Sequence, residues 1–294
     1  MKTFRFLFVA LSMLVGMTAP GSAAAPAKIL LVAGKMSHGP GDHEFRAGML
    51  LIQRALQGVA GVQTLVASNG WPSSPEAFDG VSAVVIYADG GAGHPAIQQD
   101  RMNFLTGLAR KGVGLGFMHY GVEVPKGDPG KAMQEWVGGY YEHEFSCNPM
   151  WSPEFQEFPE HPVTRGVKPF SIRDEWYMNM RFREDMKGVT SILVAKPSDA
   201  VRNGPYVWPK GPYPHIQAAK GRPETMMWVR EREEGGRGFG FTGGHVHRNW
   251  GNDSFRKVIL NALLWVSKLE VPAGGVEVPV TEPELAANLD AKKK

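Results

Sequence analysis

One cysteine, Cys147, occurs in 294 residues, so the chain can form no internal disulfide. Its stability must come from a packed interior, which 43% hydrophobic residues can supply. A lone thiol of this kind is more often a small buried residue than a nucleophile. No Gly-x-Ser-x-Gly elbow is present, which argues against α/β-hydrolase chemistry. Gly34-Lys35-Met36-Ser37 lacks the further glycines of a phosphate loop or dinucleotide fingerprint. An excess of one charge is missing too. The formal net charge is +3, and loss of the two cations Lys2 and Arg5 would leave +1, so nothing calls for nucleic acid as a partner. There is no internal repeat, and no apolar run long enough to anchor the chain across a bilayer.

What stands at the amino terminus is a shorter signal. Residues 1–25 combine Lys2 and Arg5 with an apolar run over 6–17 and the small residues Gly21-Ser22-Ala23-Ala24-Ala25. That is the pattern of a cleaved secretory signal peptide. The mature chain is expected to begin between Ala24 and Ala27, to be exported to the periplasm or medium of a bacterium, and to have no membrane association afterwards. No cysteine lies near the cleavage region, which argues against a lipoprotein.

Strand and helix patterns then alternate. Residues 28–33 form an apolar run closed by Gly34, followed by a polar loop through Ser37, His38, Asp42 and His43. A helix is predicted from about Glu44, with Phe45, Met49, Ile52 and Leu56 on one face, Asp42 or His43 as its cap and Gly58 as its stop. Residues 62–67 and 83–87 read as strands, the second ending in Asp89-Gly90-Gly91. Pro95 opens a predicted helix to Arg110 with Ile97, Phe104, Leu105 and Leu108 inward. Residues 112–119 read as a buried strand running into a tight turn, with His119 at its exit and Gly121 placed for a positive φ. Gly114 and Gly116 would let neighbouring backbone approach.

Regularity weakens over 124–223, a stretch rich in proline, glycine and aromatics, with strands expected at 170–173 and 191–195. An insertion of that length reads as a lid or binding surface. Strands return at 226–230 and 238–242, then a helix over 255–269 capped by Asp253-Ser254. The alternation predicts an α/β fold: a doubly wound, mostly parallel, flavodoxin-like sheet with long inserted loops. Residues 26–272 would form this domain, and 273–294 an extended, partly disordered tail.

In such a sheet the loops after the strands converge on one crevice. They carry Ser37-His38 with His43, then Asp89 with His94, then His119-Tyr120, then Gly243-Gly244-His245-Val246-His247. His245 and His247, two apart, would turn to the same side of an extended segment. Imidazoles meeting from different loops suit a divalent metal, with His38, His119, His245 and His247 as candidate ligands, or else acid–base work without an ion. Asp174-Glu175-Trp176-Tyr177 offers a carboxylate, either as general base, as metal ligand or as plain surface charge. Tyr206, Trp208 and Tyr213 offer flat faces for a sugar ring, or packing for a proline-rich loop.

Assembled, these stretches resemble the ThuA-like (trehalose-utilisation) family. The matching pieces are the 37–43 loop, the 114–120 elbow, His161-Pro162-Val163-Thr164-Arg165-Gly166, Asp174-Glu175-Trp176-Tyr177, and 236–245 with the 255–265 helix. The resemblance implies a class I glutamine amidotransferase-like fold and a link to sugar catabolism. Where the amidotransferases carry a catalytic cysteine, this chain has His119 or its neighbour, so glutaminase activity is not expected.

Two readings follow. One is an exported enzyme of lyase, isomerase or hydrolase type, acting on a 3-keto sugar or glycoside by acid–base or metal-assisted enolisation, elimination or isomerisation. Its catalytic residues would be His119, Glu175 and His245, and its substrate contacts His38, His43, Asp89, Tyr120, Trp176, Tyr177 and Trp208. The other is a non-catalytic sugar-binding or scaffold protein. Convergence of the histidines with Glu175 in one pocket separates them. The sequence leaves the oligomeric state open.

Overall fold

The structure is a computed structural model that describes Met1 and residues 25–293. The proposed signal segment therefore lies almost wholly outside the described residues. Among those described, no helix is long and apolar enough to cross a membrane.

Seven strands form the central sheet: β1 Ala27–Ala33, β2 Val62–Ala67, β3 Val81–Tyr87, β4 Gly114–Met118, β5 Val189–Ala195, β6 Glu224–Glu231 and β7 Arg237–Phe241. Their order is β5-β6-β7-β4-β3-β1-β2. The run from β2 to β7 is parallel throughout, and its order is the flavodoxin-like one. Only β6 runs against the rest, pairing antiparallel with both neighbours. Four helices flank the sheet: α1 Phe45–Leu56, α2 Arg101–Arg110, α3 Asp128–Trp136 and α4 Asp253–Val266.

Residue alternation along β1 divides the interior. Ile29 and Leu31 belong to a core shared with α1 and α4, whereas Leu30 and Val32 face a second core with α2 and α3. The predicted face of α1 is buried at Phe45, Met49, Ile52 and Leu56. Gly114 and Gly116 are needed for close approach: a Cβ at the first would strike the carbonyl of Val266, and at the second the ring of Phe239.

Several expectations are corrected. No side chain caps α1, because Glu44 at the N-cap turns its carboxylate back to the Gly41 N–H. The segment from Pro95 is not one helix: a single turn, Pro95–Ile97, is followed by Gln99 at a φ of 55°, and α2 starts only at Arg101. Phe104 points outward, 42% exposed, against Phe78 and Trp71. Asn252, rather than Asp253 or Ser254, caps α4 by accepting from Phe255 N. The insertion is held by two-residue ladders, among them Met150–Trp151 with Asp174–Glu175.

Over its described length the tail packs on α4. Arg256, Lys257 and Asn261 lie on α4 and are buried despite their polarity. Arg256 Nε donates to Val278 O at 3.0 Å, and Asn261 Oδ1 accepts from Val276 N at 2.9 Å. The tail covers the polar flank of that helix and supplies part of its hydrogen-bond partners.

Candidate metal centre

His43 ends the loop after β1, His119 directly follows β4, and His245 follows β7. His43 and His119 take left-handed backbone angles, φ 48° and 51°. That conformation costs a non-glycine residue about 1–3 kcal/mol and persists only where the surroundings enforce it. The turn after β4 is therefore made at His119 itself. Gly121 does not adopt a positive φ, contrary to expectation. At the β7 exit, Gly244 has φ +108°, and a Cβ on Gly243 would come within 2.6 Å of the Trp176 ring.

Glu175 reaches the same place from the insertion. On its short strand, neighbours point to opposite sides. Asp174 turns to the β7 loop, where it accepts from the N–H groups of Gly244 (2.8 Å) and His245 (3.0 Å) and from Asn249 Nδ2 (2.9 Å). Glu175 turns to the histidines. Its Oε2 lies 2.8 Å from His245 Nδ1 and 3.4 Å from His119 Nε2. His43 Nε2 lies 3.0 Å from both His119 Nε2 and His245 Nδ1. The four donor atoms all stand within 4.8 Å of one another.

The outer contacts fix the protons. His119 Nδ1 is 2.9 Å from the carbonyl of Thr242, which can only accept, so it carries hydrogen. His43 Nδ1 is 2.9 Å from Asp89 Oδ1 and donates to that carboxylate. Both Nε2 atoms are then bare in the neutral rings, and they face each other. A proton or a cation between them relieves the repulsion of two lone pairs. Histidines oriented by a carboxylate or a backbone carbonyl on the far nitrogen are the usual outer arrangement of a metal site. Tetrahedral ligation with bonds of about 2.1 Å needs donor separations of about 3.4 Å, close to those seen.

Electrostatics agree with this arrangement. Burial would raise the Glu175 carboxyl, but the nearness of His119 and His245 outweighs it and holds it at about 2. Burial, then the charges of His119, His38 and His245, push His43 far below the usual imidazole range and keep it neutral. Burial would lower His245 as well, yet its bond to Glu175 prevails and raises it.

The cluster is the floor of a cavity of about 320 Å³, at the small end for ligand pockets. Tyr120, Glu123 and Tyr177 form walls, and Val207 and Trp208 a lip. The Tyr177 hydroxyl is 3.5 Å from His119 Nε2. His38 stacks on His43 at 3.5 Å between centroids and is half exposed, with its Nδ1 3.8 Å from Asp89, so it stands above the four donors.

Two sequence-derived candidates lie elsewhere. The segment after His245 is not extended. It enters a helical turn at His247, whose Nε2 donates to Leu285 O at 3.0 Å, away from the cluster. Trp176 is fully buried, donates to Ile172 O at 3.0 Å and packs against Phe155, Phe241 and Phe255, so it is core and meets no ligand. Of the candidate ligands His38, His119, His245 and His247, His119 and His245 stand in the cluster with His43 and Glu175, His38 belongs to a second group with His43 and Asp89, and His247 lies apart. Three contributors were missed: Glu123, the Asp174 anchor as distinct from Glu175, and Asn148, whose Nδ2 donates to Glu175 Oε1 at 2.7 Å. Cys147 is buried, its thiol pushed far up by burial, which rules it out as a nucleophile at neutral pH.

The sequence matches the family model described as ThuA, trehalose utilisation, over residues 28–266. The chain belongs to the ThuA family. A ThuA-like protein from Bacteroides uniformis ATCC 8492 has a similar structure, with 15% identity and a TM-score of 0.57, covering 85% of this chain and 95% of that one. One from Parabacteroides merdae ATCC 43184 has 14% identity and a TM-score of 0.56, covering 87% and 94%. At these identities the likeness concerns the fold. No curated protein matches this ThuA-family chain in sequence. The family match ends before the tail, whose packing is described above.

Proposed function

We propose that this protein is a divalent-metal-dependent enzyme acting on an oxidised (3-keto) sugar or its glycoside, exported after loss of residues 1–25. One observation carries the metal: two bare imidazole nitrogens, a third imidazole and a carboxylate oxygen meet on a pocket floor with their outer partners already in place. Three nitrogens and one oxygen suit first-row ions such as zinc, iron, nickel or cobalt. Family membership supports the carbohydrate.

A divalent ion held there supplies a Lewis acid for a substrate carbonyl. A carbonyl acidifies the adjacent C–H, so enolisation, elimination or isomerisation then needs one group that moves a proton. With His119 and His245 engaged as ligands, that work passes to the walls. Glu123 has its carboxyl raised to about 7 by burial, then by the charge of Glu175, a range suited to both taking and giving a proton. Tyr120 and Tyr177 stand ready to hold the sugar hydroxyls. A purely sugar-binding protein has no need of strained, buried histidines at the bottom of its pocket.

The test is metal uptake. Chelator-treated protein should bind one equivalent of Zn²⁺ or Co²⁺ in a calorimetric titration. His119→Ala and Glu175→Gln should each bind at least about 100-fold more weakly. The loaded wild type should then turn over a member of a 3-keto-glycoside panel. Failure of the wild type to bind any first-row divalent ion would overturn the metal reading.

A further inference from the structure

We propose that Lys292 is a positioning residue for the metal centre, acting through a carboxy-terminal strap that fixes the loops bearing His43 and His245. The inference rests on the metal reading above and adds a part of the chain outside the family match.

Glu44 follows His43 directly and is 1% exposed. Its Oε1 accepts from Gly41 N at 3.0 Å and stands 3.2 Å from Lys292 Nζ, while its Oε2 accepts from Asp290 N at 2.8 Å. The Lys292 side chain is 2% exposed and also donates to the carbonyl of Asp42. The end of the strap thus brings an ammonium group onto the two residues flanking His43. The 41–44 loop is joined in turn to the His245 loop. His43 N donates to His245 O at 3.0 Å, and His247 N donates to Gly41 O at 2.9 Å.

The strap grips that second loop as well, since His247 Nε2 donates to Leu285 O at 3.0 Å. Its own course is set by a capping box between Thr281 and Glu284, by Arg54 paired with Glu284, and by Arg46 Nε at 3.3 Å from Asp290. Leaving the buried Glu44 carboxylate without its cation is unfavourable, so the loop would move to find water. His43 moves with it. A histidine displaced by about an ångström no longer converges with the other donors.

The experiment compares full-length wild type, Lys292→Met, Lys292→Arg and a chain ending at residue 280. It reads amide exchange in the metal-free proteins and Zn²⁺ affinity by titration. In Lys292→Met, exchange should quicken at residues 41–47 and 244–249 but stay unchanged in β3 and β4, and Zn²⁺ affinity should fall about 10- to 100-fold. The truncated chain should do the same or worse, and Lys292→Arg should keep most of the affinity. Unchanged loop exchange in Lys292→Met would overturn the proposal, as would an equal rise across β3 and β4, which marks global destabilisation. Should wild type bind no Zn²⁺, the metal reading falls, while the exchange data still decide whether the strap fixes the loops.

Discussion

The floor and the lip of the pocket are built in contrasting ways. Every floor ring has a second anchor: Thr242 O for His119, Asp89 for His43, and the Asp174-bound loop for His245. His119 and His43 are almost wholly buried, at 0% and 1% exposure. Trp208, at the lip, is 69% exposed, and the backbone of residues 207 and 208 is tied down through Asn148. The difference teaches what each part must do. Donor atoms of a cation site tolerate errors of a few tenths of an ångström, whereas a surface that recognises a ring by its face tolerates much more. Asn148 joins the two, because its side chain serves both Glu175 and Trp208 N.

The strongest way to break the contrast is to remove an anchor beneath the floor. Asp174→Ala leaves the N–H groups of Gly244 and His245 without their acceptor and takes one of two acceptors from the amide of Asn249. It should lower stability by about 3–5 kcal/mol in denaturant titration. A change under 1 kcal/mol would mean the floor is not anchored as described. A middle effect belongs to the wall. Folded, the Glu123 carboxyl is raised from 4.5 to about 7, so the native state binds the extra proton between those values. Its contribution is complete below about 4.5 and is lost as pH rises through about 7. Metal-free wild type should lose about 1–3 kcal/mol over that range relative to Glu123→Gln. Parallel stability–pH curves for the two proteins would refute the assignment. The smallest effect is at the lip. Trp208→Ala should leave stability within about 0.5 kcal/mol and metal affinity unchanged, while raising KM for a glycoside severalfold at constant kcat.

The parallel half of the fold was legible because glycines and apolar runs mark it. The Gly114–Met118 strand and the face of α1 are read directly from spacing. Other parts turn on information that spacing does not carry. His247 was misplaced because the two-residue alternation it was read from applies only to extended chain, and the backbone coils at that residue. Trp176 looked like a recognition residue because an aromatic beside two carboxylates reads the same way whether it meets ligand or core. Asp174 and Glu175 could not be told apart until their strand had a register. The packing of the tail on α4 has no signal in the sequence, because nothing local to Arg256, Lys257 and Asn261 says that later residues cover them. Asn148 and Glu123 had no motif at all.

The floor draws on positions 43, 119, 175 and 245, and the histidines at its extremes are 202 residues apart in sequence. No fragment of the chain holds more than part of the set, so the unfolded polypeptide has little affinity for whatever the native floor holds. Occupancy is therefore thermodynamically linked to folding of the whole domain. At a free concentration 1,000 times the dissociation constant, a single bound ion would deepen the native minimum by about 4 kcal/mol. For a chain without a single disulfide, a chelated ion would serve as the reversible cross-link that cysteine pairs provide elsewhere.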